Sequence, residues 1–423
     1  MVQAIDILIL SNGPGELATW VLPVARALRE NFRDKLGNDS SQVRISLILS
    51  PCPHATGKET EIARSYPEID RVQAPEYFWN FLLWGKTQEK WDWREKGAVI
   101  FLGGDQFFTV AIGKRLGYRT IVYAEWDARW HSWIDRFGVM KAEIINNSPE
   151  KYAHKFTVVG DLMAEVGNKN NYIKSGELVN SETEIIALLV GSKPAKLAQG
   201  VPLCLAIAEY IHQQRSPIKF IIPLAATLDL ATLARFADSQ QNPISKLFNG
   251  TGGNIKYNQS NTPYLETYNG LQVEIHTKTP AYDILSQCRI CITTVGANTA
   301  ELGALSIPMI VLLPTQQLDA MRAWDGLPGL LANLPGIGSL FAKLINFLVL
   351  RQGRLFAWPN IWAKAEIVPE LVGKLQPETV GEMVLDYLNH PEKLADMQEK
   401  LKSVRGKPGA AQKLAQIIWE EIN

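Results

Sequence analysis

Four groups of residues in this 423-residue chain have types and spacings suited to chemistry. Thr294-Val295-Gly296-Ala297-Asn298-Thr299-Ala300-Glu301 follows a short β-rich run and opens a helix. Small residues at a helix mouth let an anion reach the free backbone N–H groups at the positive end of the dipole, so this segment reads as a phosphate loop with a carboxylate behind it. The competing reading is a helix capping box, because Asn298 and Glu301 stand three positions apart. Gly191-Ser192-Lys193 follows another apolar run, and Lys193 could neutralise a leaving diphosphate; an exposed surface lysine is the commoner case. Asp105 follows Val99–Leu102 and two glycines, where a general base would stand, or equally the N-cap of a helix from Gln106. Gly13-Pro14-Gly15-Glu16-Leu17-Ala18 matches G-x-G-x-x-A. A nicotinamide enzyme would want an acidic residue after the second strand, and that strand ends in Leu49-Ser50-Pro51. The loop is therefore assigned to an acceptor side, through Asn12, Gly13 and Gly15, and oxidoreductase becomes a minor alternative.

The elements that must position these groups follow an alternating pattern. Ile5–Leu10, Val43–Leu49, Ala98–Leu102 and Thr120–Tyr123 read as strands, with helices through Arg29 and Leu116 between them. The alternation restarts with Glu184–Val190, a helix to Ile211 and Lys219–Pro223, and continues through a helix start at Thr279-Pro280 and strands at Arg289–Thr293 and Ile307–Pro314. Such alternation implies doubly wound parallel sheets. The expected fold is α/β, two Rossmann-like domains facing across a cleft, with ligands beyond the carboxyl ends of the strands. Expected boundaries are 1–166 for the acceptor-side domain, 167–183 for a polar linker, 184–400 for the donor-side domain, and 401–423 for a helical tail that could pack back on the first domain.

Composition narrows the function classes. Formal net charge is zero, with 43 basic and 43 acidic residues, so nothing global favours nucleic acid. Four cysteines do not make a disulfide framework in a chain this long, and point to a reducing compartment. Cys288 and Cys291 have C-x-x-C spacing without a second pair, which favours packing over zinc. No Asp-x-Asp pair follows a strand convincingly, so neither a metal nor any other cofactor is expected. The amino terminus runs directly into a strand without a signal-peptide pattern, giving an expectation of cytoplasmic residence. Two apolar regions stand out: Tyr77–Trp84 with Trp91 and Trp93, and Gly326–Leu350, where Lys343 is the only charge. Pro328 and Pro335 would interrupt a spanning helix, so a membrane-facing or acyl-chain-binding surface is weighed equally against core packing.

On these residues the chain resembles the lipid-A-disaccharide synthase family, glycosyltransferases of the GT-B fold. Ala187-Leu188-Leu189-Val190-Gly191-Ser192-Lys193 resembles its strand and Gly-Ser-Arg loop, and Gly296–Glu301 its Gly-Thr-Ala-Thr-Leu-Glu segment. Pro359-Asn360-Ile361 with Val368-Pro369-Glu370-Leu371 resembles its Pro-Asn and Val-Pro-Glu-Leu signature, and Lys407-Pro408-Gly409-Ala410-Ala411 its tail motif. The resemblance implies transfer from a UDP-sugar to a lipid-linked or other apolar acceptor, with inversion, by a peripheral protein at the inner face of a membrane. It implies that Glu301 holds the ribose hydroxyls, that Gly191, Ser192, Lys193, Gly296, Asn298 and Thr299 surround the diphosphate, and that Asn360 and Glu370 join the donor site. Asp105 and Glu16 are the catalytic candidates. The first half departs from the pattern: the family's Gly-Glu-x-Ser-Gly-Asp stands here as Ser11-Asn12-Gly13-Pro14-Gly15-Glu16, and its Asp-x-Pro-Asp-Phe as Gly103-Gly104-Asp105-Gln106-Phe107-Phe108. A UDP-sugar 2-epimerase and a non-catalytic nucleotide-sugar or lipid binder are the alternatives.

Overall fold

The computed structural model describes residues 4–37, 42–52, 55, 57–167, 184–314, 355–405 and 408–423. Residues 168–183 of the linker candidate and the apolar segment Gly326–Leu350 lie outside the described residues. The chain divides into two compact units, one of Met1–Lys169 with Arg405–Asn423, the other of Asn170–Val404. Each is a Rossmann-like α/β layer structure.

The first unit is built on seven parallel strands: β1 (Ile5–Ser11), β2 (Val43–Leu49), β3 (Arg71–Gln73), β4 (Lys96–Phe101), β5 (Arg119–Ala124), β6 (Arg136–Val139) and β7 (Phe156–Val158), in the order β3-β2-β1-β4-β5-β6-β7. A strand covered on both faces must be apolar almost throughout, and every residue of β1 is buried. Its one charge, Asp6, is matched by Arg44, whose Nε and Nη2 donate at 2.8 and 2.9 Å, and by the Tyr118 hydroxyl at 2.9 Å. The chain turns from β2–β3 on one side of β1 to β4 on the other, which makes the β1/β4 carboxyl end a topological switch point. The carboxy-terminal helix, Ala410–Ile422, lies against the Leu22–Leu36 helix, with Phe32 and Trp419 edge to face at 5.1 Å. Glu165 fastens its start, accepting from Gly409 N at 2.7 Å and Ala411 N at 3.1 Å.

The second unit holds β8 (Glu184–Leu189), β9 (Ile218–Pro223), β10 (Gly253–Tyr257), β11 (Pro263–Thr267), β12 (Gln272–His276), β13 (Ile290–Thr294), β14 (Met309–Pro314) and β15 (Glu370–Gly373). Their order is β10-β11-β12-β9-β8-β13-β14-β15. The β10–β11 and β11–β12 pairs are antiparallel and the rest parallel, so a hairpin edge extends the expected parallel sheet. β8 lies between β9 and β13, with Thr293 paired to Leu189, so this sheet too has a switch point, between the strands preceding Gly191 and Val295. The helix expected at Thr279-Pro280 begins later, running Tyr282–Leu285 from an Ala281 N-cap.

Candidate functional site

The β8 and β13 carboxyl ends carry two loops side by side, each running into a helix. Lys193 is the N-cap residue of the Pro194–Gln214 helix, and Gly296 that of the Ala297–Ala304 helix. Lys196, one turn into the first helix, reaches back: its Nζ donates to Val295 O at 2.6 Å. Two glycines make room for it. A Cβ on Gly296, whose φ is 150°, would stand 2.8 Å from Lys196 Nζ, and one on Gly191, at φ 98°, would stand 2.9 Å from Lys196 Cβ and 3.3 Å from Thr294 Oγ1.

The electrostatics of this point are one-signed. Lysines 193 and 196 sit at the positive end of a helix dipole, where cations are unfavourable. Lys196 keeps contact with solvent, yet the protein packed around its ammonium, and secondarily the charge of Lys193, hold its pKa below the ordinary lysine value. The buried Thr294 Oγ1 has no hydrogen-bond partner among the described residues. An anion placed here would meet two lysines, the amino end of a helix and an unused hydroxyl.

Glu301 lies on the next turn. Burial pushes its carboxyl up to about 7, while the Tyr282 hydroxyl beside it favours the charged form. The capping-box reading does not hold, because the N-cap is Gly296 and both Asn298 and Glu301 fall inside the helix. Asn298, Gly191 and Ser192 are partly exposed and Lys193 is exposed, leaving them accessible around the loops.

Three of the expected donor ligands serve the framework instead. Thr299 is fully buried; its hydroxyl donates to Gly296 O at 2.8 Å and accepts from Trp358 N at 3.2 Å, so it is not open to a diphosphate. Asn360, equally buried, accepts from Ile367 N and Val368 N at 2.8 and 2.9 Å, and donates to Val368 O at 2.8 Å and Glu370 Oε1 at 2.7 Å. Glu370 also accepts from Phe356 N at 2.9 Å and Ala357 N at 2.8 Å. The Pro-Asn and Val-Pro-Glu-Leu signature is thus a clasp. It ties the Trp358–Ala363 helix to β15, and that helix braces the loop helix, where a Cβ on Gly303 would stand 2.8 Å from Pro359 Cγ.

In the first unit, Asn12, Gly13, Gly15 and Glu16 follow β1, and Gly103, Gly104 and Asp105 follow the neighbouring β4. Ser50 N donates to Ser11 O at 2.9 Å and Leu102 N to Leu10 O at 2.8 Å, tying the strand ends together. A Cβ on Gly103 would stand 2.8 Å from Asn12 Oδ1, and one on Gly13 would collide with the Glu16 carboxylate, which folds back over it. Leu22 N–H bonds five residues back to Leu17 O, giving a π-helical turn over Leu17–Val21. That turn sits just ahead of Pro23, which lacks an N–H to continue an α-helical register. Asp105 is an N-cap: Oδ1 accepts from Phe107 N at 2.8 Å, and Oδ2 lies 3.7 Å from Arg129 Nη1. Its side chain remains 46% exposed, so capping does not remove it from reach of a substrate.

Beside Asp105 lies an aromatic surface. Phe78, Phe81 and Leu82 of the Phe78–Trp84 helix are buried, whereas Trp79, Leu83 and Trp84 are 51, 59 and 72% exposed. Phe107 packs on Trp130 with ring centroids 5.0 Å apart, and both are exposed. No helix among the described residues is long and apolar enough to cross a membrane. The four cysteines are free thiols, three of them buried.

Lys196 is the residue of the donor-side point that motif reasoning missed, whereas Thr294 opened the loop motif without being singled out. A lysine one turn into a helix has no motif, and only the turn count from Pro194 in the sequence would have marked it as facing the loop mouth.

No family model matches the chain. Among curated proteins, the lipid-A-disaccharide synthase of Nitrosococcus oceani is 23% identical over 226 residues, 53% of this chain and 44% of that protein. That of Syntrophus aciditrophicus is 22% identical over 241 residues, 56% of this chain and 49% of the relative. Over about half of its length the chain is thus similar to lipid-A-disaccharide synthases. It spans about half the length of the curated synthases it matches. A Listeria monocytogenes structure described as a UDP-N-acetylglucosamine 2-epimerase matches with a TM-score of 0.50 at 11% identity, covering 98% of this chain and 95% of that one. Another UDP-N-acetylglucosamine 2-epimerase matches with a TM-score of 0.50 at 10% identity, covering 100 and 95%. These likenesses establish the two-domain α/β fold, consistent with the expected class.

Proposed function

We propose that the protein is a glycosyltransferase that moves a sugar from a UDP-sugar to a lipid-linked or apolar acceptor. The observation that carries this reading is the set of positive groups at the β8 and β13 ends, two helix amino termini with Lys193 and Lys196, followed one turn on by the Glu301 carboxylate. That order suits a diphosphate followed by a ribose. The dipoles and ammonium groups take up the charge of departing UDP, and Glu301 accepts hydrogen bonds from the ribose hydroxyls.

On the acceptor side, Asp105 takes the proton of the attacking hydroxyl, with Glu16 as the second carboxylate at that strand end. The hydroxyl oxygen bonds to the anomeric carbon as the bond from that carbon to the diphosphate oxygen breaks, and UDP leaves with the electron pair. Trp79, Leu83, Trp84, Phe107 and Trp130 offer an apolar, ring-rich surface of the kind that settles at a lipid interface. The name of the matched proteins, lipid-A-disaccharide synthase, supports a lipid acceptor, and peripheral association at the cytoplasmic face of a membrane is part of the same proposal.

One observation favours a second reading, a non-catalytic binder: Asp105 spends one oxygen on its helix cap and holds the other near Arg129. Turnover separates the two. The transferase reading expects UDP release from UDP-N-acetylglucosamine with a membrane lipid extract, and loss of that release in Asp105→Ala with UDP affinity retained. UDP binding without turnover across a broad acceptor panel would support the binder. Product from UDP-N-acetylglucosamine alone, without an acceptor, would identify an epimerase.

A further inference from the structure

The connection from β5 to β6, residues 125–135, is fastened on two sides. On one side it lies on the Gln106–Leu116 helix: buried Gln106 donates through Nε2 to Asp127 O at 2.9 Å and accepts at Oε1 from Arg129 N at 2.8 Å. Further along that helix, Lys114 Nζ stands 3.5 Å from the centre of the Trp133 ring. On the other side His131 enters a cluster of rings, with Phe137 at 5.6 Å, Tyr152 stacked at 5.7 Å and Phe156 at 5.8 Å. Lys155 Nζ closes this anchor, donating to His131 O at 2.9 Å and to Ile134 O at 2.6 Å. Between the two anchors Trp130 has a φ of 60°, a left-handed conformation that a bulky residue holds only where its surroundings impose it.

The seat of His131 suits a neutral imidazole. Its Nε2 is buried and meets no hydrogen-bond partner among the described residues. In the cation both ring nitrogens carry hydrogen, so protonation buries a charged N–H with no acceptor. Ring faces attract cations, but the Tyr152 ring already has the ammonium groups of Lys151 and Lys155 at 4.8 and 5.5 Å. The side chains that face His131 are Phe137 of β6, Tyr152 and Lys155 of the short Glu150–Lys155 helix, and Phe156 of β7; none is a carboxylate. Burial, and after it the charge of Lys155, holds the imidazole below the ordinary histidine range.

We infer that residues 127–133 form an acid-released strap, with His131 as its trigger. An imidazole freed to solvent takes a proton more readily than the seated one, so the docked strap keeps its full stability above about pH 6.5 and loses it as pH falls below that value. Release relaxes the backbone at Trp130 and withdraws Arg129, whose Nη1 lies 3.7 Å from Asp105 Oδ2. The strap stands independently of the transferase reading; its bearing on Asp105 as a base rests on that reading.

The test is hydrogen–deuterium exchange on the full chain at pH 7.5 and pH 5, corrected for the intrinsic pH dependence of amide exchange. Protection of the Arg129, Trp133 and Ile134 amides should fall at least fivefold at pH 5, with a ceiling of about thirtyfold for an open-state pKa near 6.5. The strand Ile5–Ser11 should keep its protection, which marks the opening as local. His131→Phe retains a ring in the seat and cannot take a proton; its strap should lose less than twofold, and His131→Gln is a second variant that does not titrate. Unchanged strap protection in the parent, an equal loss in Ile5–Ser11, or the same loss in both variants would each overturn the assignment. Neither UDP nor an acceptor enters this measurement, so absence of turnover would overturn the transferase reading without touching the strap.

Discussion

Lys196 Nζ donates to Val295 O at 2.6 Å, joining the helix after β8 to the loop after β13 at the point where both present backbone N–H groups. A single carbonyl leaves two of the three ammonium hydrogens for other acceptors. Lys196→Met keeps the stem and removes the charge. UDP affinity in this variant should fall about tenfold to a hundredfold, the range for one charge-assisted hydrogen bond. Calorimetric titration checks this; unchanged affinity would remove Lys196 from the site.

Glu301 gives the site a pH signature. Its folded pKa, about 7, lies above that of an unfolded glutamate, so the native state binds more protons than the unfolded state between roughly pH 4.5 and 7. Stability therefore falls as pH rises through that window, and Glu301→Gln, which cannot ionise, should not share the loss. Denaturant unfolding of both proteins at pH 5 and pH 8 is expected to show the variant gaining relative to the parent at the higher pH. Ribose hydroxyls donate to the charged form, so UDP binding near pH 7 should release protons from Glu301. The ligand's own phosphate titrates equally with both proteins, and the difference in proton release between them isolates the carboxylate. A pH-independent stability gap and identical proton release would contradict this role.

The strand and helix alternation was legible in the sequence because parallel strands buried on both faces must be apolar almost throughout, as Ile5–Ser11, with Asp6 its one charge, and Met309–Pro314 are. The β10–β11–β12 edge was not, since its five-residue strands bury only one or two residues each and lie among turn-forming segments. For the site, loop composition pointed to the β8 and β13 ends. It could not separate a polar residue facing a ligand from one facing the framework. Thr299 and Asn360 have donor-site residue types, and each is used up internally, Thr299 in part by Trp358 from a distant stretch of sequence and Asn360 by Ile367, Val368 and Glu370 just after it. Gly296 as N-cap was hidden because glycine caps without a side-chain signal, whereas Asn298 offered a familiar but unused one.

The clasp makes the opposite kind of expectation from Lys196. Asn360→Ala removes a buried amide that makes four hydrogen bonds, and should destabilise the protein by about 2–4 kcal/mol. Well below its melting temperature, the variant's UDP affinity should change far less than in Lys196→Met. Chemical unfolding and titration on the same preparation check both halves. A stable variant that has lost UDP would restore Asn360 to the ligand shell.

The exposed aromatic residues Trp79 and Trp84 should carry lipid association. Replacing both with serine should reduce co-sedimentation with anionic liposomes severalfold without lowering UDP affinity, because they belong to the other unit. Undiminished co-sedimentation would place the contact elsewhere.

Thermal unfolding of the full chain with UDP tests the donor-site assignment most directly. A ligand present at a hundred times its dissociation constant stabilises by about 2.7 kcal/mol. Millimolar UDP should raise the melting temperature saturably in the parent, and much less in Lys196→Met, while uridine, lacking the diphosphate, should do little. No shift with millimolar UDP, or an equal shift in Lys196→Met, would contradict a nucleotide-diphosphate site at the β8 and β13 ends.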